Sequence, residues 1–263
     1  MSVQKSSIWR SARQHLIMMT IIFGSWELLV YLLEIPSIVL PPPTEILESL
    51  IEQLSTPRFY RHIWVTLSEI LGGFVLGTMF GLCLGTIIGL SPLMYRLLYP
   101  YIVALESMPK VAIAPIIVVW AGYGIESKII ITALIAFFPL LANTVAGLRS
   151  APRDQVDMLT AFTASRWQIF RMTRLPSALP PIFTGLNIAI VLSVIGAIVG
   201  EFVGAREGLG YLILQNNFNF NIAGTFSALI VLSVIGITLH WIVQRIQARV
   251  VFWTQSDGSH IGV

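Results

Sequence analysis

Cysteine is almost missing from this 263-residue chain: Cys83 is the only one, set inside an apolar run, which excludes a disulfide framework and a cysteine-based metal site. Histidine is scarce and scattered, at His15, His62, His240 and His260, so no spaced metal or catalytic cluster can be drawn from it. Lysine occurs only at Lys5, Lys110 and Lys128, and none follows a glycine. Without a Gly-x-x-x-x-Gly-Lys-Ser/Thr segment there is no loop to cradle nucleotide phosphates. Charge of either sign is thin as well. Charged residues make up 11% of the chain against roughly 25% in soluble domains. The few ionisable groups are dispersed, which argues against a membrane-embedded enzyme that would need them clustered. What fills the space is hydrocarbon: 56% of the residues are hydrophobic, a composition that belongs in a bilayer.

Apolar windows long enough to cross a membrane lie near 16–33, 64–90, 97–120, 128–147, 180–202 and 223–243, which predicts an all-α polytopic protein of about six transmembrane helices. The first window follows Lys5, Arg10 and Arg13 as a signal peptide would. Its core is long and ends in Glu34-Ile-Pro36 without a small-x-small cleavage site, so it reads as a retained helix. Orientation follows from the basic residues. Lys5, Arg10, Arg13, Arg96, Arg149, Arg153, Arg166, Arg171, Arg174, Arg245 and Arg249 fall on one side, and only Arg58, Arg61, Lys128 and Arg206 on the other. The positive-inside rule then puts both termini and the loop 149–179 in the cytoplasm, and the net charge of +3 needs no nucleic-acid partner. The expected division is an N-terminal tail, first crossing and outer interfacial helix over 1–60, a core over 61–250, and a C-terminal tail over 251–263.

Between Leu148 and Pro180 the chain turns polar and carries helix signals. Pro152 suits a first helical turn, and Ser165 followed by Gln168 is a capping-box pattern, so two short helices joined by a small-residue turn are expected, shaped to be gripped by another protein. After Pro41-Pro42-Pro43, Thr44 is expected to cap an interfacial helix with Ile46, Leu47, Leu50, Ile51 and Leu54 on one face. The stretch Glu201 to Gly210 interrupts the fifth window, and the apolar segment after it is too short to cross, so a re-entrant or interfacial turn is expected there.

In the second window Gly73, Gly77, Gly81, Gly85 and Gly89 recur at every fourth position, a stripe along which another helix backbone approaches closely. Glu106 and Lys110, four apart around Pro109, are expected to share a helix face and to pair, and with Glu201 they are the candidates for lining a translocation pathway. Glu69 and Glu201 lie near window ends, where solvation is the expectation, and Glu27 is placed to pair with another helix.

These residues together carry a resemblance. Asp157, the turn Thr163-Ala164-Ser165-Arg166-Trp167 and the closing Leu175-Pro176 look like the coupling loop of binding-protein-dependent ABC transporter permeases. Pro109-Lys-Val-Ala-Ile-Ala-Pro115 through Gly124, Ser127-Lys128, Ala136-Phe-Phe-Pro139, Gly200-Glu201-Phe-Val-Gly204 and Gly208-Leu-Gly210-Tyr-Leu-Ile213 narrow it, so that residues 60–250 resemble the nitrate/sulfonate/taurine family. The resemblance implies a type I importer fold in a bacterial inner membrane. The chain would be one half of a pore, paired with a second copy or a paralogue, served by two cytoplasmic ATPase subunits and an external substrate-binding protein. It would bind no cofactor itself, ATP belonging to the ATPase, and would not be an enzyme. Asp157, Met158, Leu159, Phe162, Thr163, Ala164, Ser165, Trp167, Leu175 and Pro176 would form the ATPase-coupling interface. The family default solute is a small nitrate-, sulfonate- or taurine-type anion; a vitamin-precursor or other small organic solute is the alternative, and a self-sufficient secondary transporter is disfavoured because no internal repeat is evident. The loop departs from the family pattern: Asp157-Met158-Leu159 stands where Glu-Ala-Ala is usual, and Thr163 where glycine is usual.

Overall fold

The computed structural model describes residues 2–253, with side chains from residue 13 onward; from residue 254 on, the expected C-terminal tail lies outside the described residues, as do the side chains of Lys5 and Arg10. Eleven α-helices carry the described chain, and no strand occurs among the described residues. In order they are α1 (Ser2–Leu32), α2 (Pro43–Leu54), α3 (Pro57–Leu90), α4 (Pro92–Glu106), α5 (Ala114–Ala121), α6 (Ile125–Arg149), α7 (Arg153–Ala161), α8 (Arg166–Ile169), α9 (Leu175–Gly204), α10 (Leu209–Phe218) and α11 (Ile222–Val250). Among the described residues five continuous helices are long and apolar enough to cross a bilayer, and a bent pair makes up to six.

The bent pair is the third crossing, whose apolar window runs over 97–120 around Pro100, Pro109 and Pro115. Helix α4 stops at Glu106, and a 3-10 turn over Lys110–Ile113 leads into α5 at 83° to it. Pro109 is the cause: it has no N–H to continue the ladder and disfavours helical geometry at the residue before it, and its own ψ is 92°. The fifth crossing differs in the opposite sense. Helix begins at Arg166 and runs to Gly204 without a gap, so α8 is the foot of a transmembrane helix and not a separate loop helix. A π-helical turn over Phe170–Arg174 joins α8 to α9, with the Leu175 N–H bonded to the Phe170 carbonyl. The wider turn makes room for Pro176, which has no amide hydrogen to give.

The chain forms two compact units. One contains the chain up to Tyr60 together with Leu212–Ile230. Here Pro42 occupies the N-cap of α2 and offers no side-chain acceptor, so the expected Thr44 cap is not formed. Glu27 of α1 substitutes: Thr44 donates its N–H and its hydroxyl to the two Glu27 carboxylate oxygens at 3.2 and 2.7 Å. Ile46 is buried while Leu47, Ile51 and Leu54 are exposed, so the apolar residues of α2 divide between protein and surroundings. The Ser227 hydroxyl donates to the Ile46 carbonyl at 3.0 Å, and Gln53 Nε2 donates to the Gly224 carbonyl at 3.3 Å.

The other unit holds Arg61–Tyr211 and 231–253 of the described chain, and α3, α5 and α9 all pack on α6. The glycine stripe of α3 lies on α6. A Cβ at Gly77 would come within 2.6 Å of the Ala133 carbonyl oxygen, one at Gly81 within 3.1 Å of the Phe137 carbonyl oxygen, and one at Gly89 within 3.1 Å of the Leu148 Cβ. Gly73 and Gly85 face Thr132 and Thr144 in the same way. On its other side α6 meets α9, where a Cβ at Gly196 would reach 2.8 Å from the Thr132 Cα. Inside lipid, where apolar side chains gain nothing by leaving their surroundings, such backbone proximity is what holds helices together.

Candidate functional site

Two groups of polar residues stand out from this apolar frame. The first is the polar loop after α6. Helix α7 ends in a Schellman closure: the Ala164 N–H bonds to the Leu159 carbonyl and the Thr163 N–H to the Thr160 carbonyl, both at 2.9 Å. That closure requires a left-handed residue, and it falls on Thr163 with φ of +58°. A glycine fits there without penalty, whereas a β-branched residue is strained.

Beyond the turn, Ser165 caps α8 with a complete capping box. Its hydroxyl accepts from the Gln168 N–H at 3.3 Å, while its own N–H donates to Gln168 Oε1 at 2.7 Å. The two helices are thus fixed at their junction by backbone and side-chain bonds. Phe162 and Trp167 project from this junction with 77% and 66% of their surfaces exposed, and Met158 and Asp157 are exposed beside them. Trp167 stacks on Phe170 at 5.4 Å between centroids, tying the exposed ring to the foot of the fifth crossing. Leu159, Ala164, Leu175 and Pro176 are half-buried under this surface.

The second group lies at the opposite ends of α3 and α9, and the sequence reading missed most of it. Glu69 and Glu201, expected to be solvated, are 2% and 1% exposed, and Lys128, counted as an outer topological charge, is 1% exposed. Glu201 Oε1 accepts from the Thr66 hydroxyl at 2.6 Å, and Oε2 accepts from the Tyr211 N–H at 3.0 Å. Thr66 in turn accepts from the Leu209 N–H at 2.7 Å, and His62 Nδ1 accepts from the Gly208 N–H at 2.9 Å. These are the amides at the start of α10, which have no partners inside that helix, so side chains of α3 and α9 satisfy them and a carboxylate sits at a helix N-terminus. Gly208 makes the tight entry possible with φ of +120° and Glu201 packed directly against it.

Lys128 reaches across the same region, donating to the Tyr123 carbonyl at 2.8 Å and the Gly204 carbonyl at 2.7 Å, within Coulombic reach of Glu69 and Glu201. A cavity of about 420 Å³ opens above, bordered by Glu69, Tyr123, Lys128, Arg206 and Glu207. The Arg61–Glu207 ion pair at 2.8 Å is solvent-facing and contributes no more than about 1 kcal/mol. A signal for this cluster was present in the sequence: His62, Thr66 and Glu69 continue, four and three residues apart, into Gly73 and the glycine stripe, the face that meets protein.

The expected Glu106–Lys110 ion pair is not formed. The helix breaks between them, so Lys110 donates at 2.8 Å to the Glu106 backbone carbonyl and lies 4.9 Å over the Phe138 ring, while the Glu106 side chain is exposed. Nor does Glu201 face open space; its oxygens are taken up by the α10 entry. No cluster suited to a metal ion is found among the described residues.

Residues 73–252 match the family described as the binding-protein-dependent transport system inner membrane component. The chain is 35% identical over 232 residues to the formylaminopyrimidine transport permease protein ThiX of Halalkalibacterium halodurans, covering 88% of this chain and 92% of that one. It is 27% identical over 240 residues to the taurine transport system permease protein TauC of Escherichia coli, covering 89% and 87%. Among solved structures it is similar to a chain of the MetNI methionine ABC transporter in an inward-facing form, with a TM-score of 0.63 at 23% identity over 72% of this chain and 94% of that chain. At that identity the likeness concerns the fold.

Proposed function

The chain belongs to the family of inner membrane components of binding-protein-dependent transport systems, and from that premise we propose how this permease of a small-solute importer is powered and oriented. The loop after α6 faces the cytoplasm with both termini and docks on a separate ATPase subunit that carries the ATP. A second copy or a paralogue completes the pore, and a soluble binding protein delivers the solute from outside the cytoplasmic membrane.

The observation that carries this reading is the mechanical form of the loop. Met158, Phe162 and Trp167 present exposed apolar surface on a junction closed by a Schellman turn and a capping box, and that junction continues without a break into the fifth crossing. A force applied at Phe162 or Trp167 therefore moves a transmembrane helix, where a pliant linker would absorb it. Motion of α9 reaches the outer side through Glu201, whose carboxylate holds the first turn of α10. We accordingly assign Glu201 to positioning that turn and keep Glu106 and Lys110, at the break in the third crossing, as candidates for lining the pathway.

The solute is small, and a nitrate-type anion stays among the classes to test. The nitrate-, sulfonate- or taurine-type anion implied by the family resemblance and a vitamin-precursor or other small organic solute are the two classes to offer the partner binding protein by calorimetry. The docking reading is tested by copurifying the ATPase subunit with the Asp157→Arg and Phe162→Arg variants. Association is expected to be lost while membrane insertion persists; intact association would dispose of the proposal.

A further inference from the structure

At the loop-side ends of the crossings lies a pocket whose three arginines the coupling role does not use. It has a volume of about 270 Å³ and is bordered by Leu90, Arg149, Arg153, Asp157 and Arg174. Three guanidinium groups face one carboxylate, and none of the three is in an ion pair among the described residues. Arg149 is held in place by stacking 3.8 Å from the centroid of the Tyr95 ring, which leaves its donor edge free. Planar guanidinium forks of this kind match the oxygens of a phosphate.

The position of the pocket selects the source of that phosphate. Leu90 and Arg149 are the last residues of two membrane crossings, so the pocket sits at the level of the lipid headgroups. Helix α4 starts beside it at Pro92 and exposes Leu93, Leu97 and Leu98, an apolar track on which acyl chains can lie. A soluble phosphate ion would use the arginines and leave this track unused. We propose that the pocket binds the phosphate of an anionic phospholipid, seated between α4, α6 and α7 at the base of the coupling loop. A lipid held there bridges the end of α6 and the start of α7, which makes the rigidity of the loop dependent on lipid composition.

The test uses the full chain in nanodiscs of phosphatidylcholine doped with phosphatidylglycerol, read by native mass spectrometry of retained lipid, without the ATPase. Phosphatidylglycerol is expected to be retained over phosphatidylcholine, and the Arg153→Gln/Arg174→Gln double variant is expected to weaken that preference roughly thirtyfold. Removing the single carboxylate with Asp157→Asn is expected to raise retention roughly fivefold, a gain that misfolding cannot imitate. Equal retention of the two lipids, or a preference unchanged in the double variant, overturns the proposal. Displacement of phosphatidylglycerol by inorganic phosphate would show a site for the free anion and also overturns it. If the double variant loses ATPase copurification with lipid retention unaltered, the pocket serves an acidic segment of the ATPase and the lipid assignment is wrong.

Discussion

Replacing Thr163 by glycine should make the coupling loop more stable. Thr163 sits at the left-handed position of the Schellman closure with φ of +58°, and a side chain there places its Cβ against backbone at a cost of roughly 1–2 kcal/mol. Glycine removes that cost but loses more freedom on folding, an offset of about 0.5–1 kcal/mol. The Thr163 hydroxyl contact with the Phe162 carbonyl at 2.7 Å is exposed and adds little. The net gain is therefore about 0.5–1 kcal/mol, which slows exchange of the closing amides by about two- to fivefold when exchange proceeds by local opening. Hydrogen exchange of the amides at 163 and 164, which bond to Thr160 and Leu159, reads this directly. The Thr163→Asn variant should fall between the glycine variant and the native threonine, and Thr163→Val, which keeps the β-branch, should not slow exchange. Unchanged or faster exchange in Thr163→Gly, or slowing in Thr163→Val, would refute the reasoning.

Gly77→Ala should destabilise the protein by about 1–3 kcal/mol, because the added methyl meets the Ala133 carbonyl oxygen of α6, which cannot yield as a side-chain tip would. Gly24→Ala has no heavy atom within 4 Å and serves as the control; thermal unfolding in detergent compares the two. Lys128→Met should cost about 3–5 kcal/mol by leaving two carbonyls without a donor and two buried carboxyl groups without their counter-charge. Adding Glu69→Gln removes one of those carboxyl groups and should recover part of the monodisperse yield in fluorescence-detected gel filtration; a double variant no better than Lys128→Met would count against the ion cluster.

Legibility in the sequence followed the range of the interactions. The apolar spans of the five continuous crossings, the four-residue glycine spacing and the Ser165–Gln168 capping box were legible because each is set by neighbours within a few residues along the chain. The break at Pro109 was visible as a proline, but its 83° consequence, and with it the loss of the Glu106–Lys110 pair, needed the surroundings that satisfy the freed backbone. In the loop two short helices were expected, but a π-turn ahead of Pro176 makes the second of them continuous with the fifth crossing.

By itself, then, the sequence determined that the chain lives in lipid, roughly where its apolar spans fall and where its stiff polar loop lies, since hydrocarbon forces every segment to satisfy its own backbone. Tertiary structure alone decided which charges are buried. Glu69, Lys128 and Glu201 come from three different helices, and each is tolerable inside the protein only because the other two, with Thr66 and the amides of α10, arrive at the same place.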